Sequence, residues 1–129
     1  MNRFLGIGLS LSIAAFAVPA GVFAQEATPA APANVVDDVA AAKELNRKGL
    51  VFFDAGDYNR ALPFFESSRA LVPSHANTRN VALCLDGLGR SAEALRMYEN
   101  LVRDYRDSLD ARERTATEKR IAELQSITF

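Results

Sequence analysis

The sequence predicts an all-α fold: antiparallel helix hairpins, repeated twice and closed by a C-terminal capping helix. Three observations predict it. Apolar residues recur at three- and four-residue intervals from Val39 onward, as on one face of a helix. Gly, Pro and Ser gather where that rhythm breaks. The breaks also superimpose when the chain is shifted against itself by 33 residues. No segment alternates apolar and polar residues in the β-branched pattern of a strand.

The elements follow in order. Residues 1–24 read as a targeting segment: Arg3 supplies a positive start, residues 4–18 are apolar with only Gly and Ser intervening, and Pro19 and Gly21 stop a helix. Val22 and Ala24, flanking Phe23, place small residues where a signal peptidase reads them, so cleavage is expected after Ala24, with Ala20 as the alternative, giving an exported product, periplasmic or secreted. The apolar run is too short for a confident membrane span, so no membrane insertion is expected after cleavage. An Ala/Pro-rich stretch, QEATPAAPAN, opens a tether over residues 25–36.

The helical domain is expected over residues 37–126. Its first helix carries Val39, Ala42, Leu45, Gly49 and Phe52 on one face, with Asp37 or Asp38 at its start. Ala55-Gly56-Asp57 turns the chain, and Asp57 caps a second helix over residues 58–71, built on Ala61, Leu62, Phe65 and Leu71. Pro63 is expected near the first turn of that helix, where a missing N–H costs little. Ser74 caps a third helix over residues 75–88, with Val81, Ala82, Leu85 and Leu88 inward. After the break at Gly89-Arg90-Ser91, a fourth helix covers residues 92–105 on Ala94, Leu95, Tyr98, Leu101 and Val102. A last, highly charged helix is expected over residues 109–125, with Leu109, Ala116, Ile121 and Leu124 as its apolar edge. Its stretch from Arg112 to Arg120 alternates sign with Glu113 and Glu118, as a solvated helix face does.

In the self-comparison Gly56 falls on Gly89, Ala61-Leu62 on Ala94-Leu95, Phe65-Glu66 on Tyr98-Glu99, Phe52 on Leu85 and Gly49 on Ala82. Small residues let two helices approach, and the aromatic residue fills the space between successive hairpins. The first unit, carrying Leu45, Gly49, Phe52, Ala61, Phe65 and Pro73, resembles a tetratricopeptide repeat (TPR). Ala82, Leu85, Ala94 and Tyr98 keep the second unit in register, with departures at Thr78 and Arg106. The resemblance spans most of the chain after the targeting segment and implies a TPR-like α-solenoid, with repeats over residues 42–74 and 75–107 and a cap over 109–125.

The resemblance also implies a function. Partners of such arrays commonly bind the concave face lined by the first helix of each pair. Those positions here are Lys43, Asn46, Arg47, Leu50 and Phe53, then Arg79, Asn80, Leu83 and Asp86. Lys and Arg offer charge-assisted donors, Asn can bond a peptide backbone, and Leu and Phe give an apolar floor. A protein or peptide segment bearing a carboxylate suits that mixture.

Composition narrows the alternatives. A formal net charge of −1 lacks the basic excess of a nucleic-acid binder. One cysteine, Cys84, permits no internal disulfide, and it lies between Leu83 and Leu85 as a buried hydrophobe would. One histidine, His75, and one cysteine are too few for a soft-metal site, and Gly87-Leu88-Gly89 is a turn rather than a phosphate loop. No cofactor, metal or catalytic set is therefore expected. The functional expectation is a non-catalytic interaction module, adaptor or scaffold, of the cell envelope. The alternative is a self-associating structural component, because two repeats are few for a stable stack and a homo-oligomer would extend it.

Overall fold

The computed structural model describes residues 35–128, and every regular element among them is helical. The targeting segment with its cleavage after Ala24 and the tether up to residue 34 lie outside the described residues. Five helices follow one another: α1 (Val35–Asp54), α2 (Tyr58–Leu71), α3 (His75–Gly87), α4 (Ser91–Tyr105) and α5 (Ala111–Thr128). A single 3-10 turn, Arg106–Ser108, joins the last two. Strong packing runs in chain order, each helix against the next.

The two short turns explain why hairpins form. Gly56 and Gly89 hold φ of +75° and +72°, a region L-residues avoid. The glycine N–H at each turn reaches back to the helix, Gly56 to the Phe53 carbonyl at 2.9 Å and Gly89 to that of Asp86 at 3.0 Å. The following N–H groups, of Asp57 and Arg90, bond the Phe52 and Leu85 carbonyls, both at 2.9 Å. The same helix-ending motif thus recurs one repeat later, and it satisfies carbonyls that the helix end would otherwise orphan.

The starts are also local. The Asp57 carboxylate accepts the Arg60 N–H, and at Ser74 a reciprocal box forms: the Ser74 hydroxyl accepts the Asn77 N–H while the Asn77 side chain accepts that of Ser74. Pro73 sits exposed between the end of α2 and that cap.

Several expectations shift. α1 begins at Val35, two residues inside the expected tether, and α3 ends at Gly87. The last helix starts at Ala111 and runs to Thr128, because Asp110 accepts the Glu113 N–H at 2.8 Å and begins the helix there. Arg106 opens the 3-10 turn. Pro63 lies beyond the first turn of α2, so it removes one intrahelical bond, to the Asn59 carbonyl, on an exposed side of the helix.

The core lies between the hairpins. Ala61, Phe65, Ala82, Cys84, Ala94 and Leu124 are fully buried, with Leu85 and Tyr98 nearly so. Small meets large at two points. A Cβ on Gly49 would lie 2.6 Å from Phe65 Cε1, and one on Gly87 would lie 2.6 Å from Tyr58 Cε2. Each glycine lets an aromatic ring rest on helix backbone, so Gly87 is a packing residue of α3 as well as the residue before a turn. Phe52 is half-buried and stacks on Phe64, whereas its repeat equivalent Leu85 is buried.

Candidate functional site

Two hollows open beside α3, one against α4 and α5 and the other against α1 and the end of α2. The larger, about 700 Å³, is lined by Arg79, Leu83 and Asp86 of α3, by Tyr98 of α4 and by Arg112, Ala116 and Arg120 of α5 and its neighbours. The smaller, about 310 Å³, is lined by Val39, Ala42, Lys43 and Asn46 of α1 with Asn77 of α3.

Arg79, Leu83 and Asp86 share one side of α3 by their four- and three-residue spacing. Glu113 and Arg120 occupy α5 with the same seven-residue interval as Arg79 and Asp86 but with the charges reversed. The two helices accordingly lock at two points. Arg79 Nε lies 2.8 Å from Glu113 Oε1, which also lies 3.1 Å from His75 Nε2. Two turns further on, Arg120 donates to both oxygens of Asp86, from Nε at 2.8 Å and Nη2 at 2.7 Å. The Tyr98 hydroxyl donates to the same Asp86 carboxylate at 3.1 Å.

This cluster sets the local ionisation. Hydrogen bonding from Arg120 holds the Asp86 carboxyl below the usual carboxylate range, against the opposing effect of burial, and the Tyr98 bond assists. Burial, then the Asp86 charge, pushes the Tyr98 phenol upward. Both groups therefore keep their usual forms at neutral pH: Asp86 is an anion and Tyr98 a donor.

The residues expected on the binding face divide. Arg79 and Leu83 line the larger cavity, and Lys43 and Asn46 the smaller. Asn80 is buried, and its amide donates to Asn46 Oδ1 at 3.0 Å, so the two asparagines bridge α1 and α3 rather than both facing a ligand. Arg47 is exposed and forms a bidentate pair with Glu44 on its own helix, at 2.8 and 2.7 Å. Phe53 packs on Tyr58 and Phe65, with ring centroids 5.3 and 6.2 Å away, and belongs with the core. Leu50 is exposed and lines neither cavity.

The solvated-face reading of residues 112–120 is corrected: Glu113 and Arg120 turn inward onto α3. Their signal was present as the matched seven-residue charge interval on two helices. Arg112 remains outside every ion pair formed among the described residues, and it stands in the cavity wall. Cys84 is fully buried, and burial pushes its thiol up to about 11, so it is a neutral core side chain.

Compared with protein-family models, curated proteins and solved structures, the chain finds no match. No helix among the described residues is long and apolar enough to cross a membrane.

Proposed function

We propose that the chain is an exported, non-catalytic adaptor with TPR-like helix stacking, which holds a peptide or protein segment between α3 and α5. The carrying observation is the cavity of about 700 Å³ whose walls include Arg79 and Leu83. That volume is in the range of specific ligand sites, about 300–1,000 Å³. Leu83, Ala116 and the Tyr98 ring supply an apolar wall, and Arg112 supplies a cation that forms no ion pair among the described residues. Of the other charges in the wall, Arg79 is paired with Glu113 and Arg120 with Asp86, while the Asp110 carboxylate accepts the Glu113 N–H at the start of α5. A segment presenting one carboxylate beside an apolar side chain complements this wall.

The repeated turn chemistry at Gly56 and Gly89 and the chain-order packing support the TPR-like reading. Export rests on the leader of residues 1–24.

The test is selection from a displayed peptide library, followed by affinity measurement by fluorescence anisotropy. Selected peptides should share a carboxylate and an apolar residue, and Arg112→Glu or Leu83→Glu should weaken them at least about tenfold, the loss of one charge-assisted or apolar contact. Binders indifferent to both substitutions would remove the cavity from the account.

A further inference from the structure

One face of the second hairpin is covered by the first. On α3 that face is Thr78, Val81 and Leu85, exposed by 0%, 3% and 3%. The same positions one repeat earlier are Leu45, Lys48 and Phe52 of α1. Leu45 and Phe52 are only half-buried there, and Lys48 is exposed.

These residues belong to a longer stripe. Asp38, Ala41, Leu45, Lys48 and Phe52 follow at intervals of three and four, which keeps them along one side of α1. Phe64 of α2 extends the strip, stacked 5.5 Å from Phe52, with the Arg60 guanidinium over the Phe52 ring. Leu71, on the same side of α2 by spacing, is 43% exposed. The first hairpin thus ends in an apolar and aromatic strip bordered by charge.

The opposite end of the stack is closed. α5 packs on α4, burying Leu124 and Thr117, and turns Glu118, Lys119 and Gln125 outward. A second copy adding head to tail would meet that polar surface. The geometry left is isologous, the α1 strip of one copy against the α1 strip of another about a twofold axis.

A twofold axis runs the paired helices antiparallel, and charge selects the register. Among the described residues neither Asp38 nor Lys48 forms an ion pair. With the axis between residues 41 and 45, Asp38 of each copy faces Lys48 of the other, and Leu45 faces the small Ala41. Phe52 then reaches the first turn of the second copy's α1, where Val35 is 68% exposed. We infer that this chain forms a dimer by antiparallel pairing of α1 with α1 of a second copy, in the register set by two Asp38–Lys48 pairs. Lys43 and Asn46 lie on another side of α1, so both hollows stay open in the dimer.

Sedimentation velocity on the purified chain tests this. The wild-type mass should rise from one chain toward two with concentration. Asp38→Lys and Lys48→Asp should each weaken dimerisation at least about tenfold, since each sets like charges together twice. An equimolar mixture of the two variants should dimerise as tightly as wild type, because both pairs are then opposite in sign. Both positions are clear of the core, and circular dichroism should show unchanged helix. A one-chain mass at every concentration, single variants that dimerise like wild type, or a mixture no tighter than its components would each overturn the proposal.

Discussion

Two glycines carry much of the packing, and each does so by having no side chain. Gly49 accepts the Phe65 ring and Gly87 accepts that of Tyr58. Phe65 is fully buried and has no room to retreat, whereas Tyr58 is half-buried. Gly49→Ala should therefore destabilise the fold by about 1–3 kcal/mol, the usual loss on overpacking a core. Gly87→Ala should do less, because the Tyr58 ring can swing toward solvent. Thermal denaturation of both variants measures the difference, and equal midpoints would contradict this account of the two contacts. The chain shows Gly49 as a recurring small residue at a 33-residue interval, but the same pattern assigns the Phe65 ring to the space between hairpins, so its seat on Gly49 is a finding of the fold. The Gly87 contact could not be read from the chain either, since Gly87 lies in a run that reads simply as a turn.

At the scale of elements, the attachment of α5 is electrostatic at two points, Arg79–Glu113 and Arg120–Asp86. Unfolded Asp titrates near about 3.9, and Arg120 holds folded Asp86 below its ordinary value. Between the two values the unfolded chain binds more protons, so the contribution of Asp86 is complete above the unfolded value. It is lost as the pH falls through the folded one. The thermal midpoint should thus decline on acidification from about pH 5 to about pH 3, and Asp86→Asn should flatten that decline while lowering the midpoint at neutral pH. An unchanged slope in the variant would contradict the role given to this pair. Glu44, Glu93 and Asp104 are shifted in the same direction by neighbouring Arg side chains, but they are exposed and screened by solvent.

Helices and their turns were legible because their causes are local. Ala61, Leu62 and Phe65 mark an inward face by spacing alone, and Gly56 and Gly89 mark turns by the backbone they permit. The partners of polar residues were not legible. Asn80 pairs with Asn46, 34 residues away on another helix, and no period in the chain announces that bond; for Asp86 and Arg120, at the same separation, the only trace is the matched seven-residue charge interval on α3 and α5. The charged run on α5 has the composition of a solvated face, and only the fold brings Glu113 and Arg120 against α3. Nor were the partners of Asn80, Arg47 and Phe53 on the expected binding face legible: Asn46, Glu44 and the Tyr58 and Phe65 rings.

Across the described helices, the first and last present unlike outer faces. The α5 end is polar, the α1 end is apolar, and the cavity between α3 and α5 is the proposed seat for a segment of another protein. Backbone amide chemical-shift mapping with a selected peptide tests that proposal most directly. The largest shifts should fall on residues 79–86 and 112–120, with Leu83, Arg112 and Ala116 among them and the outer stripe of α1 unmoved. Shifts confined to α1 and α2, or spread evenly without saturation, would contradict it.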